Sequence, residues 1–293
     1  MLTSANDGLT GASDRNKIQR IFISCDIEGI SGVVHGDHAA QGQGEDYGRA
    51  RRLMTKQVNA AVAGAVQGGA DMILVNDSHG TMRNIILEDL HPAAHLVTGA
   101  PKPLSMMQGV ADGFDGAFLV GYHSRAGTPG VLNHTYSSRT VAELRINGTV
   151  AGETLMNAYI AGCYGVPVLL VTGDTEATNE ASDALPGVKT VAVKEPVGRY
   201  AAKCLPFDEA NARIREAAAE AVALIGKARP LLPPTPARFE LRLMNTAMAE
   251  YVGLMPGAER VDTLTVAYSD DDYIKAFKAA RVMITLAASA DPY

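Results

Sequence analysis

The chain has 293 residues and an apolar fraction of 47%, enough for a packed core in one large domain or two modest ones. Its formal charge of −6 is spread along the sequence, with no basic stripe for nucleic acid and no apolar run near the roughly 18 residues of a membrane span. Cys25, Cys163 and Cys204 are widely spaced, which argues against a disulfide framework or a cysteine-type zinc site and fits a reducing cytoplasm.

Residues 1–17 are polar and lack the apolar core of a secretory signal, so a disordered extension is expected there. A first strand, Ile21 to Cys25, runs into Asp26-Ile27-Glu28-Gly29. After a glycine-rich loop comes a helix from about Tyr47 to Val66, with Leu53, Val58, Val62 and Val66 at near-helical spacing and Gly68-Gly69 as its stop. A second strand, Met72 to Asn76, ends on Asp77-Ser78-His79-Gly80. A short connection and helical residues around Pro103 to Gly109 lead to a third strand, Ala117 to Gly121, ending on Tyr122-His123.

Val141 to Ile146, Asn147-Gly148 and Thr149-Val150 carry a hairpin signal. Gly152 and Glu153 open a helix to about Gly162. Val166 to Val171 is a fourth buried strand ending at Thr172-Gly173-Asp174, and Lys189 to Lys194 a fifth.

Beyond Glu195 the character changes. Asp208 reads as the N-cap of an Ala-rich helix to about Ile225, and the prolines between Pro230 and Pro236 exclude regular structure. Phe239 to Leu243 and Thr263 to Tyr268 alternate like half-exposed strands, and a last helix spans Asp271 to about Leu286. The expected fold is α/β: a doubly wound, mostly parallel sheet over 18–195 that carries the metal-binding residues, followed by a smaller α+β part over 196–293.

Apolar strands separated by helices read as parallel strands buried on both faces, and ligands bind beyond the carboxyl ends of such strands. Asp26, Glu28, His79 and His123 would then converge on one rim. Asp26 and Glu28, two residues apart in extended chain, project to the same side. Singly, each has an ordinary explanation: Asp-x-Glu is common at strand ends, and a His after a strand is usually a satisfied imidazole. Together they point to a cation, because buried carboxylates without one are costly. Oxygen and imidazole donors suit zinc or a similar divalent ion. Glu153 either complements a helix dipole or adds a further carboxylate ligand.

The remaining histidines and Asp174 read less sharply. His134 sits in a loop past the third strand, where a surface position is the ordinary reading. His35 and His38 lie in a glycine-rich loop without fixed geometry, and His91 and His95 flank a turn and face solvent. Asp174 serves either a substrate ammonium or a turn cap.

With those residues in place, the sequence resembles the zinc-dependent D-aminopeptidase family, also known as dipeptide transport proteins, over nearly its whole length from Ile21. The resemblance is carried by Ser24-Cys25-Asp26-Ile27-Glu28-Gly29-Ile30-Ser31-Gly32, Val75-Asn76-Asp77-Ser78-His79, Gly121-Tyr122-His123, Leu132-Asn133-His134-Thr135, and Asn147-Gly148 through Gly152-Glu153. It implies metal ligands at Asp26, Glu28, His79, His123 and Glu153 and a catalytic histidine at His134. The N-terminal extension and the His35/His38 loop depart from the family pattern, and the loop bears on substrate preference.

The resemblance further implies a cytoplasmic hydrolase with two zinc ions per subunit, releasing N-terminal D-amino acids from short peptides or amides, in a ring of identical subunits such as a decamer. Three carboxylates and two Zn²⁺ ions leave a charge that one hydroxide would neutralise. A two-metal site of this kind activates that hydroxide, with Asp26 as the bridge and His134 as proton donor. Two other readings stay open: a metallohydrolase acting on another small amide or an L-peptide, and a non-catalytic peptide-binding protein linked to uptake.

Overall fold

The computed structural model describes residues 18–42 and 44–290, so the extension expected over 1–17 lies outside the described residues. The chain opens with β1 (Arg20–Cys25), passes through the single turn α1 (Gly36–Ala39) into the long α2 (Gly44–Gln67), and returns as β2 (Met72–Asp77), β3 (Ala94–Val97) and β4 (Gly116–Tyr122). A hairpin of β5 (Val141–Ile146) and β6 (Thr149–Val150) precedes α3 (Glu153–Cys163), β7 (Val168–Asp174) and α4 (Thr175–Ala184). After β8 (Lys189–Gly198) and β9 (Ala201–Cys204) come α5 (Phe207–Val222), β10 (Ala237–Leu243), α6 (Thr246–Gly253), β11 (Glu259–Arg260), β12 (Thr265–Asp270) and α7 (Tyr273–Ser289).

Seven strands form one sheet in the order β3-β2-β1-β4-β7-β8-β9, parallel except for β9. The order reverses between β1 and β4, which makes their carboxyl ends the topological switch point where ligands bind in such sheets. Five antiparallel strands form the second sheet, β11-β12-β10-β5-β6. The architecture is the expected α/β fold with a mostly parallel main sheet.

Alternation along β1 explains the two layers of core. Ile21, Ile23 and Cys25 face the α2 and α5 side, whereas Phe22 packs into the other layer with α3, α7 and the second sheet. β10 alternates as its sequence predicts: Ala237, Phe239, Leu241 and Leu243 are buried and the residues between them are not.

Two glycines decide how closely β1 and β4 end together. A side chain on Gly29 would sit 2.0 Å from the Tyr122 carbonyl oxygen, and one on Gly121 (φ +73°) 2.3 Å from that of Asp26. Backbone therefore meets backbone here, with Asp26 N–H donating to Val120 and Gly29 N–H to Gly121, both at 2.8 Å. The residues that follow the two strands are brought side by side as a result.

The two sheets do not divide the chain at residue 195. The β5–β6 hairpin pairs with β10 in the second sheet, while β9 extends the main sheet and α5 packs against α2. Asp208 lies inside the first turn of α5, whose N-cap is Pro206, and α7 begins at Tyr273 with Asp272 as its cap. Among the described residues no helix is long and apolar enough to cross a membrane.

Candidate metal centre

Asp26 and Glu28 follow β1, His79 follows β2 and His123 follows β4, so the three strand ends converge as their sequence pattern predicts. Glu153, the first residue of α3, joins them from the segment that follows the β5–β6 hairpin. The donor atoms form two groups, each within 4.8 Å: Asp26, Glu28 and His79 in one, and His123, His134 and Glu153 in the other. Asp26 stands between the groups. Its Oδ1 lies 3.1 Å from His79 Nδ1 and its Oδ2 3.5 Å from His123 Nε2. His79 Nδ1 is also 3.0 Å from Glu28 Oε2, and Glu153 Oε1 lies 3.5 Å from His123 Nε2 and 3.9 Å from His134 Nε2.

Each histidine is anchored in the same way. His79 Nε2 donates to the Ala39 carbonyl at 2.7 Å, His123 Nδ1 to that of Ser124 at 2.9 Å, and His134 Nδ1 to that of Leu132 at 2.8 Å. A ring nitrogen held as a donor to a carbonyl leaves the other with a lone pair, the state in which imidazole binds metal. In all three rings that second nitrogen is the one turned toward the carboxylates.

Asp26, Glu28 and Glu153 are buried at 3%, 6% and 4% exposure. Among the described residues their ion-pair partners are histidines alone. Burial and the charge of Glu28 push Asp26 up to about 7. Burial alone would lower His123, but Glu153 and Asp26 outweigh it and raise the imidazole to about 10. His79 is likewise raised by Glu28 and Asp26 against the effect of burial. The carboxylates around both imidazoles thus hold them toward their protonated form. His123 Nε2 is buried without a hydrogen-bond partner, and the nitrogen and oxygen donor set fits zinc.

The other candidates fall outside this cluster. His35 is exposed and caps α1, and His38 accepts from the Val34 N–H. Their loop nonetheless supplies the Ala39 carbonyl that holds His79. His91 Nδ1 accepts from Ala93, and His95 is exposed. Asp174 is buried, caps α4 and accepts from Val131 N–H.

A model of the D-aminopeptidase family matches residues 19–282. The chain belongs to the D-aminopeptidase family. It is 41% identical over 269 residues to a D-aminopeptidase of Bacillus subtilis (strain 168), covering 92% of this chain and 97% of that protein. A solved structure, described as a Zn-dependent D-aminopeptidase from Bacillus subtilis and a self-compartmentalizing protease, superposes with a TM-score of 0.90 at 39% identity. That likeness spans 94% of this chain and 100% of the other.

In this D-aminopeptidase family member the chamber around the cluster also contains residues that no sequence pattern singles out. Ser105, Tyr136 and Arg281 line it. Met82, Ser105 and Tyr136, all on its wall, adopt φ of 58°, 50° and 59°, a left-handed conformation that costs a non-glycine residue roughly 1–3 kcal/mol. Nothing in the local sequence signals that strain. Lys194, buried in β8, donates to the carbonyls of Glu28, Ile30 and Val33 and so fixes the loop that carries Glu28.

Proposed function

We propose that the chain is a zinc-dependent aminopeptidase that removes N-terminal D-amino acids from short peptides or amides. Zinc would be held by Asp26, Glu28, His79, His123 and Glu153, two ions per subunit, with Asp26 serving both. One observation carries this reading: three histidines, each pinned by a backbone carbonyl, turn their free nitrogens toward three buried carboxylates. The relatives named for this activity add support.

The chemistry that zinc supplies when bound is Lewis acidity, which polarises a carbonyl and makes water acidic enough to attack near neutral pH. The protein's own contribution is placement. Asp26, fixed by its Oδ1 contact to the Ile27 N–H at 2.8 Å, keeps its carboxylate between His79 and His123. His134 has its Nδ1–H committed to Leu132, so Nε2 is the atom that takes up a proton and passes it to the departing amine. Glu153 is steadied by the Tyr136 N–H at 2.6 Å.

A ring of identical subunits, a decamer by the sequence resemblance, completes the reading, and the self-compartmentalizing relative supports it. Light scattering decides it, and a clean monomer of 30.8 kDa would contradict it. The three free cysteines support a reducing, cytoplasmic setting. The activity is tested by assaying zinc-loaded protein on matched D- and L-amino-acid amides and dipeptides. Release of the D-residue alone is expected. Equal or greater turnover of the L-series would replace the D-specific reading with an L-peptidase.

A further inference from the structure

Beside the metal chamber, which holds about 110 Å³, lies a larger and mostly apolar cavity of about 580 Å³. Gly80, Met82, Ser105 and Arg281 line both, so the two spaces adjoin. No acidic residue lines the larger cavity, and its three charged residues are Lys102, Lys278 and Arg281. Lys102 is committed to Asn76 Oδ1 and the Asp77 carbonyl, and Lys278 is exposed.

Arg281 differs from both. It is the one Lys or Arg on the wall of the metal chamber, and its guanidinium carbon lies 4.0 Å from the centroid of the Tyr136 ring. Among the described residues no carboxylate pairs with it. A guanidinium resting on an aromatic face keeps its N–H donors for a planar anion. Ser105 Oγ and Tyr136 Oη, on the same chamber wall, are buried and interact with each other, and neither has a further hydrogen-bond partner among the described residues. The Arg281 guanidinium and this hydroxyl pair, which keeps one O–H free to donate, therefore line one space next to an apolar cavity.

We propose that Arg281, aided by the Ser105 and Tyr136 hydroxyls, anchors the free α-carboxylate of a dipeptide whose C-terminal side chain occupies the larger cavity. The inference rests on the peptidase reading and narrows its substrate class from peptides and amides to dipeptide free acids. The carboxylate is needed because an unpaired guanidinium beside three carboxylates and their metal site binds an anion better than a neutral amide. Selection then acts on the residue that leaves, and Arg281 is a binding residue, not one that touches the reacting carbonyl.

The test compares one D-residue dipeptide with its C-terminal amide, on zinc-loaded wild type and on Arg281→Gln, with zinc content measured for both proteins. The wild type should prefer the free acid at least roughly tenfold in kcat/KM, mostly through KM. Arg281→Gln should erase that preference, losing at least roughly tenfold more in kcat/KM on the free acid than on the amide, while its zinc content matches wild type. Equal use of both compounds by the wild type would overturn the proposal, as would an equal loss on both in the variant. The wild-type comparison needs no variant, so a misfolded Arg281→Gln leaves the proposal open to refutation. Cleavage of neither compound would refute the peptidase reading instead, and equilibrium binding of the same pair would then decide the anchor by the same tenfold preference.

Discussion

His123 and His134 stack face to face, with ring centroids 4.0 Å apart and planes 11° from parallel. The Ser124 carbonyl ties them together, accepting from His123 Nδ1 at 2.9 Å and from the His134 backbone N–H at 3.3 Å. Yet their surroundings differ: the His123 side chain is 2% exposed and contacts both Asp26 and Glu153, while that of His134 is 17% exposed and, among the described residues, pairs with Glu153 alone, at 3.9 Å.

That difference supports the proposed roles of His123 as a ligand and His134 as a proton carrier. His134→Ala is expected to keep its zinc and to lose at least about 10²-fold in kcat, the usual scale for a positioned acid–base group. KM should move little, since the proton transfer belongs to the transition state. Zinc analysis and steady-state kinetics on one preparation check this. Loss of zinc would make His134 a ligand, and near-normal turnover would make it a bystander.

Metal-free protein should lose stability as pH rises. His123 is raised from 6.5 to about 10, so its contribution is fully present below pH 6.5 and lost through about pH 10. Asp26, raised from 3.8 to about 7, works in the same direction over its lower range. Zinc requires the deprotonated ligands, so its binding strengthens over the same interval. Thermal melts with and without chelator between pH 6.5 and 10 should therefore show a gap in Tm that widens with pH. A constant or narrowing gap would contradict the proton-for-metal exchange.

Much of the centre was legible in the chain because strand ends announce themselves. A buried apolar run followed by Asp26-Ile27-Glu28, by Asp77-Ser78-His79 or by Tyr122-His123 puts each proposed ligand at a known edge of a parallel sheet. The β5–β6 hairpin was legible too, with Asn147 and Gly148 at φ of 48° and 82° as its turn demands. Its sheet was not. β5 pairs with β10 across more than 90 residues of sequence, in the register Phe239 to Ile146, and no local pattern encodes such a partner. Arg281 was hidden for a similar reason, since a helix position reads the same whether it meets solvent or a chamber. The short, half-buried β3 lacked the apolar run that marks its neighbours.

The close approach of β1 and β4 gives a test of the scaffold. Gly29→Ala would force a methyl group to 2.0 Å from the Tyr122 carbonyl oxygen. It should destabilise the fold by at least about 2 kcal/mol and lower zinc retention, because Asp26 and His123 are set by that contact. Gly36→Ala, with nothing within 4 Å of the added atom, is the control and should stay within about 0.5 kcal/mol. Denaturant unfolding of both variants distinguishes them, and equal stabilities would argue that the strand ends are free to separate.

The zinc content of the folded chain decides between a metallopeptidase and any metal-free reading. Elemental analysis of chelator-free protein, reconstituted with zinc and freed of excess, should give about two ions per chain, the number that two adjoining donor groups imply. Asp26→Asn should then lose more zinc than Glu153→Gln, because Asp26 faces both groups and Glu153 only one. A wild-type stoichiometry near zero would contradict the metallopeptidase account outright.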